Sequence, residues 1–572
     1  MKCKMLLFSL FALFLFDGVL FAQSKRDLLL DKCNDALSPL EKRFSAYAFD
    51  LSQQINGKMI GNPSALQLLI ETDSAFRNRF SCKKNPAEDS LGLLRIGVET
   101  GYSYGHIGGE YLPYCGNNFQ DFHINTSLVH TLNNKGSFLG AARYSKGRHC
   151  GYQWNAIRHA EIYLPYVVAD STGGDYDYED YFFYGGYAWG ENNFYYGFEG
   201  SYRGEIACRK TDPRCANTTA WLSLGGNMSV KAGDDMYGLR AFYLYNRQHL
   251  ALRNWRPNQQ DRFYLVYGFG FFDIQSSPIS FGINRMYYLN GAEAEAFYKR
   301  NESEKTFSCA LDYAFCKIKT EESNRKNLFD SKTHYLTGGI SYSQTFTTFQ
   351  IEASVTSSNT FRMGLENIYE SYLPDPSYPN IYDYRIVSIR NRYRYLLSGN
   401  IVQCKFWHSV GKRVRIGYSG GCAEQHRSEN YTDPYQHLHT DAVVPMLGVD
   451  FQYINRNFDV EIKTLAMYRK LLDKAYAVTP IGLMTDFQHA FTPYAYYCFE
   501  GVGGKMELQL SRSIKNTGTV GLLLDVMAHY GGRPHDVQYA GIPSVQSDIL
   551  STPMPPEKKM EFWAKASLFW ML

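Results

Sequence analysis

The sequence predicts an all-β fold, a closed antiparallel transmembrane β-barrel of about 20 strands (16–22) over residues 93–572. Three observations predict it: apolar and polar residues alternate along many segments, tight turns alternate with longer connections, and the chain ends inside a strand pattern. A closed barrel satisfies the strand hydrogen bonds without leaving an edge, which makes it one of the two structures that can span a lipid bilayer.

Strict two-residue alternation marks the individual strands. In Phe349–Val355 and Phe458–Lys463 every second residue is apolar without a break, and residues 222–231 and 505–511 follow the same pattern. Successive side chains of a strand point to opposite faces, so each segment has one apolar and one polar face.

The connections between these segments alternate in length. Tight turns are predicted near residues 133–136, 190–193, 233–235, 275–278, 300–304, 347–348, 411–412, 455–457 and 515–518. The other connections are predicted at residues 105–120, 147–180, 205–217, 249–262, 320–332, 362–383, 428–440, 471–493 and 531–559, with a short one near Asn290. Nine turns and ten connections join twenty strands, an even number, as in bacterial outer-membrane barrels. A sandwich or a propeller requires no such alternation.

The last strand reaches the end of the chain. From Met560 to Leu572 every even-numbered residue lies on one largely apolar face, and Glu561, Lys565 and Ser567 lie on the other. An exposed terminal strand of this kind would promote aggregation, whereas pairing with the first strand removes the free edge. The segment resembles the C-terminal strand by which outer-membrane barrels are recognised for assembly, with Leu572 in place of the usual Phe.

Aromatic residues make up 16% of the chain. Transmembrane barrels carry aromatic girdles where lipid meets water. We therefore expect lipid-facing rings in two segments, the first with Tyr181, Phe183, Tyr187 and Trp189 and the second with Phe263, Leu265, Tyr267, Phe269 and Phe271.

The first 92 residues differ from the rest. Residues 1–22 have Lys2 and Lys4, an apolar run and a small residue, Ala22, which predicts a cleaved signal peptide. Residues 23–92 show helical spacing and are predicted to form a small helical or irregular segment, either in the periplasm or inside the lumen as a plug. Lys and Arg number 59 against 56 Asp and Glu, so the charge does not indicate a nucleic-acid partner.

Two cysteines bracket a turn-rich stretch. Cys208 and Cys215 flank Lys210–Arg214, and an exported chain permits disulfides, so a loop disulfide between them is predicted beside the alternative of two free thiols.

Catalytic and cofactor-binding motifs are weak. Ser103 and Ser419 lie in Gly-x-Ser-x-Gly patterns, but Ser419 lies within a strand alternation rather than a strand-to-helix turn, so no enzyme activity and no cofactor are predicted. His437, His439 and Asp441 offer metal-binding groups, but no third ligand is spaced for zinc, and a solvated loop is the preferred interpretation.

A basic stripe is predicted at Arg390, Arg392 and Arg394, which share one strand face by their spacing. Three neighbouring arginines repel, so they need carboxylates such as Asp375 or Asp383, water, or an anionic ligand. The functional hypothesis is an anion-attracting rim.

Two stretches resemble a known family. Pro165–Asp175 before Tyr184–Tyr187, and Ser201–Arg203 followed by Asp212–Arg214, look like an outer-membrane β-barrel family of Bacteroidota that is known only as a domain of unknown function. The resemblance implies an outer-membrane location and no catalytic residues, and Cys215 stands where Pro is expected.

A further stretch, Gly61–Leu66 with Asn62 and Pro63, is similar to the Asn-Pro-Ala hatch of fatty-acid-transporter-like barrels, with Ser64 in place of Ala. That resemblance implies a plug formed by residues 23–92. An ordinary Asn-Pro turn is the other interpretation.

The functional expectation is a channel or transporter for an unidentified solute. The alternatives are a surface scaffold or adhesin with partner-binding loops, and a hydrophobic-ligand transporter with an N-terminal hatch. Expected partners are outer-membrane lipid, the barrel-assembly machinery, and a surface or periplasmic protein.

Overall fold

The computed structural model describes only part of the chain. The described residues are 63–65, 67, 94–109, 111–132, 136–170, 172–253, 263–268, 271–275, 284–302, 304–322, 327–378, 382–433, 435–455, 458–478, 496–514, 518–533 and 558–572. The predicted signal peptide and all but four residues of the predicted N-terminal segment lie outside these ranges. Within these ranges, no helix has the length and apolar character needed to cross a membrane.

Strands dominate the described residues. In chain order, the elements are β1 (Leu94–Gly108), β2 (Asn118–Leu132), β3 (Gly136–Tyr152), α1 (Ala160–Tyr163), β4 (Val167–Asp170), β5 (Gly174–Glu191), β6 (Phe194–Arg209), β7 (Arg214–Ala232), β8 (Asp235–Arg253), β9 (Phe263–Gly268), β10 (Phe271–Gln275), β11 (Asn284–Glu302), β12 (Lys305–Glu322), β13 (Asn327–Thr345), β14 (Phe349–Tyr372), β15 (Asp383–Val410), β16 (Val414–Thr432), β17 (Tyr435–Ile454), β18 (Phe458–Val478), β19 (Glu500–Ile514), β20 (Gly518–Gly532) and β21 (Lys558–Met571). All strands except β4, β9 and β10 are wall strands.

Eighteen of these strands form one closed antiparallel sheet. Each wall strand pairs with the next one along the chain, and β21 returns to β1 with a register that runs from Gly97↔Met571 to Gly108↔Met560. The remaining strands, β4, β9 and β10, form a separate three-stranded sheet. The predicted closed barrel is confirmed, with 18 strands, which lies within the predicted range of 16–22 and is two fewer than its central value of 20.

The difference of two strands has a local cause. The sequence placed a wall strand at residues 263–275 and a turn near Asn290, whereas β9 and β10 belong to the small sheet and β11 passes through Asn290 without a break. The Asn290 side chain is held across the strand pair by the Tyr243 hydroxyl, which donates to its Oδ1 at 2.8 Å. The Asn290–Gly291 pair therefore lies within a strand instead of forming the predicted turn.

Short turns and longer connections alternate less strictly than predicted. The ends of the wall strands leave eight connections of two or three residues, as at residues 192–193 and 233–234, and these alternate with nine connections at the other end. Some of these nine are also short, because residues 428–440 form the ends of β16 and β17 around residues 433–434 rather than a loop.

The two faces of the wall are inverted relative to a soluble sheet. In β2 the buried side chains include Asp121, His123 and Asn125, whereas Phe122 and Ile124 on the opposite face are 44% and 40% exposed. Polar side chains thus face the lumen and apolar ones face outward, as in barrels surrounded by lipid.

The terminal strand follows the same rule. Met560, Leu568 and Trp570 are exposed on the outer face, while Trp563 and Phe569 are buried. The predicted outward rings Tyr181, Phe183 and Trp189 are likewise exposed.

Two of the residues predicted to face lipid in the second segment do not do so, and Phe269 of that segment lies outside the described residues. Phe263 and Leu265 are 1% and 6% exposed and pack inside the barrel. Alternation alone does not distinguish a lipid-facing strand from an inner strand that is covered by apolar neighbours.

Candidate functional site

One connection folds into the barrel and meets the lumen face of the wall. We call residues 153–170 between β3 and β5 the inner loop; it contains α1 and β4. The Arg158 backbone N–H donates to Asn217 Oδ1 at 3.1 Å, and Gln248 Nε2 donates to the Arg158 carbonyl at 2.8 Å. Wall residues of β7 and β8 therefore replace the hydrogen bonds that the backbone would otherwise make to water.

A buried ion pair fixes the same loop. Arg158 Nε lies 2.9 Å from Glu205 Oε1, and both side chains are at most 2% exposed. Arg203 Nη2 contacts the other carboxylate oxygen of Glu205 at 3.1 Å, and Arg158 Nη1 donates to the Tyr152 hydroxyl at 2.8 Å. These additional partners matter because a buried ion pair is tolerated only when its remaining hydrogen-bonding groups are satisfied.

An apolar cluster completes the packing of the inner loop. From the inner loop it includes Tyr163 and Val168, and from β9 it includes Phe263 and Leu265. The wall contributes Tyr152, Tyr176, Tyr178, Ala207, Cys215, Leu250, Leu252, Tyr287, Ile318 and Phe329. Each large apolar side chain that is fully buried contributes about 1.5–3 kcal/mol, so this cluster holds the inner loop firmly. We call this part of the lumen, beside β3 to β13, the filled side.

The two stretches that carry the family resemblance meet at one arginine. Arg209 Nη2 lies 2.8 Å from Asp170 Oδ2, and Arg209 Nε donates to the Pro213 carbonyl at 3.2 Å. The other Asp170 oxygen accepts the Gly173 backbone N–H at 2.9 Å. Arg209 therefore ties the end of the inner loop to the β6–β7 connection.

His159 adds a titratable group to the filled side. Its φ of 57° is left-handed, and its Nε2 lies 3.0 Å from Glu205 Oε1. Burial lowers the pKa of His159 to about 4, although the neighbouring Glu205 carboxylate opposes that shift. The imidazole is therefore neutral at pH 7 and hydrogen-bonded to a carboxylate.

The opposite part of the lumen, beside β14 to β21 and β1, contains a cavity of about 520 Å³, which we call the lumen cavity. It is bordered by the 111–116 connection, by Glu161 of the inner loop and by residues 496–499. Its wall residues are Ile107, Ser358, Thr360, Tyr395, Leu397, Ser398, Gly399, Gln425, Arg427, Thr440, Val444, Met467, Arg469, Met527, His529, Lys559 and Glu561. We call this part of the lumen the cavity side.

Arg427 is the most distinctive group of the lumen cavity. Its guanidinium lies 3.7 Å from the ring centroid of Tyr497 and 5.2 Å from that of Tyr395, and its Nη2 donates to Glu429 Oε2 at 3.0 Å. Within the described part of the chain, no group accepts a hydrogen bond from its buried Nε. A buried donor without an acceptor is costly, so this atom favours a ligand or a water that can accept.

A second polar cluster lies on the same side of the lumen. Lys559 Nζ is 2.7 Å from Glu561 Oε1 and 3.4 Å from the ring centroid of Tyr496. His529 Nδ1 lies 3.5 Å from the other oxygen of Glu561, and the Tyr496 hydroxyl donates to Glu561 at 3.1 Å. The lumen cavity is therefore lined by both aromatic rings and charged groups.

Residues of the predicted hatch touch the lumen face. The Ser64 backbone N–H donates to Asn227 Oδ1 at 3.0 Å, its hydroxyl lies 2.8 Å from Ser229 Oγ, and Gln67 contacts Ser137. These wall residues lie near the short turns that follow β2 and β7. Pro63 is described and buried, whereas Asn62 lies outside the described residues.

The predicted arginine stripe is divided by a β-bulge. The register between β14 and β15 shifts at Gly364/Leu365, opposite Arg392, so the strict alternation ends there. Arg392 lies 3.4 Å from both Glu366 and Asp433, rather than pairing with Asp375 or Asp383. Arg394 follows the bulge on the same outer face as Leu396, and Arg390 precedes it and is exposed. The three side chains therefore do not form one continuous face, and a role in attracting anions stays a prediction.

The structure describes both cysteines of the predicted disulfide and shows no bond between them. Cys208 and Cys215 are free thiols. Cys208 is exposed on the outer face of β6, whereas Cys215 is buried on the lumen face of β7, so the two sulfurs lie on opposite sides of the wall.

Sequence reasoning missed the groups that define both sides of the lumen. Arg158 and Glu205 are separated by 47 positions, and Arg427 looks like any polar residue in an alternating strand. The only available signal for Arg158 was its place in a connection too long for a simple turn.

A model of a family of unknown function, DUF6850, matches residues 97–546. The chain belongs to this family. The match begins in β1 and extends beyond β20, so the barrel is the part that the family shares, and both resembling stretches lie within it. No curated protein sequence matches the chain.

Several solved structures are similar to this member of the family. The siderophore receptor PirA from Pseudomonas aeruginosa has 8% identity and a TM-score of 0.35, covering 83% of this chain and 80% of its own. The copper transporter OprC has 7% identity and a TM-score of 0.37, with 85% and 82% covered. The FrpB iron transporter from Neisseria meningitidis has 8% identity and a TM-score of 0.38, with 85% and 83% covered.

Proposed function

We propose that the protein is an outer-membrane β-barrel that passes a small solute through its lumen. The observation that best supports this is the inverted wall, in which Asp121 and Asn125 face the lumen while Phe122 and Ile124 face outward. Such a wall leaves apolar surface for lipid and a polar interior for a solute. We further propose a bacterial outer-membrane location reached through the signal peptide of residues 1–22 and the barrel-assembly machinery, and a Bacteroidota origin, as the family resemblance implies.

The lumen cavity is proposed as the binding site of this solute. Its volume of about 520 Å³ falls in the ~300–1,000 Å³ range of small-molecule pockets. Tyr395, Tyr497 and Phe499 offer aromatic faces, and Arg427 offers a donor to an acceptor group. These groups favour a small amphipathic solute that carries both an apolar face and a carboxylate, phosphate or carbonyl oxygen.

Residues 23–92 are proposed to plug the lumen near the short turns. The contacts of Ser64 with Asn227 and Ser229 support this position. A hatch in this position would also suit the second candidate function, a hydrophobic-ligand transporter with an N-terminal hatch.

Solute entry into proteoliposomes tests the proposal. We expect the mature chain to admit small amphipathic anions more slowly than a variant without residues 23–92, because the deletion removes the plug. A surface scaffold with partner-binding loops would show no entry in either form, and that result would reject solute passage. Faster entry of long-chain fatty acids than of water-soluble anions would favour the hatch transporter.

A further inference from the structure

A cluster of metal-binding groups lies on the outer face of the wall, at the ends of β16 and β17. His426 Nδ1 is 2.6 Å from Asp441 Oδ1, and His439 Nε2 is 3.1 Å from Asp441 Oδ2. One potential ligand atom from each of the three residues lies within 4.8 Å of the others. We call these three residues the outer cluster.

Strand register assembles the outer cluster. His439 and Asp441 are two positions apart on β17 and share a face, while antiparallel pairing places His426 of β16 directly opposite Asp441. The third ligand therefore comes from a neighbouring strand, which explains why spacing along the sequence did not show it. His437 and His439 were expected in a solvated loop, and both instead lie in β17.

A fourth ligand group stands beside the outer cluster. Asp473 of β18 is paired opposite Asp441, and its Oδ2 lies 3.7 Å from His439 Nε2. Its side chain is 71% exposed, whereas that of His439 is 18% exposed. Asp473 Oδ1 accepts the Lys474 backbone N–H at 2.8 Å, which leaves Oδ2 as the oxygen beside His439. Two carboxylates beside two imidazoles provide the negative charge that favours a divalent cation.

The position makes the outer cluster accessible from water. Along β17 the same face carries Leu447 and Val449, which are 72% and 50% exposed, and the outer cluster lies beyond them toward residues 433–434. It therefore lies outside the apolar band of the wall. Because strands hold all of its members, little backbone movement is needed to bring the ligand atoms around an ion.

The ligand set indicates the class of metal. Two imidazole nitrogens with carboxylate oxygens suit Zn²⁺ and Cu²⁺, whereas Mg²⁺ prefers oxygen ligands and retains its waters. In the structure the two imidazoles contact one carboxylate, and an ion at the centre would replace those contacts by coordination bonds.

We propose that His426, His439 and Asp441 bind one divalent ion of the zinc and copper class at the outer surface of the barrel, with Asp473 as the fourth ligand. This inference is independent of solute passage, because the outer cluster lies on the opposite face of the wall from the lumen cavity.

The chain supplies a matched control. His437 lies on the same strand and face as His439 and Asp441. Its ring stacks near that of His439 at a centroid distance of 6.2 Å. Its Nδ1 is 2.7 Å from Asn430 Oδ1, which directs it away from the proposed ion. His437→Ala removes an imidazole from the same surface without removing a proposed ligand.

Calorimetric titration of the full mature chain without an affinity tag, in detergent, tests the proposal with ZnCl2 and with MgCl2. We expect one Zn²⁺ per chain and no binding of Mg²⁺. Loss of a group that merely orients a metal ligand lowers affinity by roughly 10–100-fold, so His426→Ala and His439→Ala should each weaken Zn²⁺ binding by at least about tenfold. His437→Ala should bind as the wild type does.

Three results would overturn the proposal. They are Zn²⁺ affinity that is unchanged in the His426→Ala/His439→Ala double variant, equal binding of Mg²⁺, or an equal loss of affinity in His437→Ala. Each variant is first checked for heat-modifiable gel migration, the sign of a folded barrel, and Asp441→Asn is the second variant if an alanine variant fails that check.

Discussion

The filled side and the cavity side of the lumen share one wall, but a buried arginine on each side has different partners for its hydrogen-bonding groups. On the filled side, the Arg158 guanidinium is bound by Glu205 and Tyr152 while its backbone is bound by Asn217 and Gln248. On the cavity side, Arg427 is flanked by aromatic rings, and its Nε has no acceptor among the described residues. The comparison teaches that the Arg158 guanidinium is committed to partners within the protein, whereas Arg427 retains a donor for a solute.

The largest expected effect comes from removing the buried ion pair between Arg158 and Glu205 on the filled side. Arg158→Ala leaves Glu205 buried with Arg203 and His159 but without its closest guanidinium. Removing one partner of a buried ion pair costs roughly 3–5 kcal/mol, so we expect the inner loop to lose about 3 kcal/mol of docking free energy. Hydrogen exchange of residues 153–170 should rise while the wall strands stay protected.

Arg148→Ala is the control for that variant. Arg148 Nε lies 2.6 Å from Asp177 Oδ1, but their side chains are 46% and 37% exposed, and exposed pairs contribute little. An equal rise in exchange for Arg148→Ala would contradict a specific role of the buried pair.

Low pH should weaken the docking of the inner loop on the filled side. The pKa of His159 is about 4 in the docked loop, below its ordinary value of 6.5. Between pH 6.5 and 4 the undocked loop therefore binds one more proton than the docked loop. The contribution of neutral His159 to the free energy of docking is therefore fully present above pH 6.5, decreases as the pH falls and levels off below pH 4.

His159→Asn isolates this contribution, because Asn does not titrate and tolerates the left-handed φ of 57°. Hydrogen exchange of the inner loop is measured from pH 7.5 to 4. We expect a smaller pH dependence in the variant, and an identical dependence in both proteins would show that His159 is not responsible.

A smaller effect is expected from the cavity side. Arg427→Ala removes a donor and two cation–aromatic contacts, and we expect about a tenfold loss in solute affinity or entry rate, equivalent to ~1.4 kcal/mol. Proteoliposome uptake measures it.

Arg415→Ala is the matched control. Arg415 lies on the same strand and stacks on Trp407 at 4.9 Å, but it does not line the lumen cavity. Equal losses in both variants would mean that the loss reflects the lumen in general rather than the lumen cavity.

The sequence predicted the wall better than its contents. A period of two residues determines which side chains share a face, so the division of the terminal strand β21 into two faces was predicted from the sequence. The same period misassigned Phe263 and Leu265, because an apolar face looks alike whether lipid or an inner loop covers it.

Long-range contacts set the limit of sequence reasoning. The pairing of Arg158 with Glu205, and of His426 with Asp441, depends on loop docking and strand register rather than on spacing along the chain. The bulge opposite Arg392 similarly divides a stripe that strict alternation had predicted to be continuous.

Single-channel conductance in planar bilayers tests the central claim, that the inner loop closes a solute path whose open part is the cavity side. The wild type, Arg158→Ala, and both proteins without residues 23–92 are compared. In the deleted background we predict larger conductance steps more often for Arg158→Ala than for the wild type, because the weakened inner loop undocks more often and each undocking widens the lumen. Equal steps, or no conductance in any of the four proteins, would contradict the account.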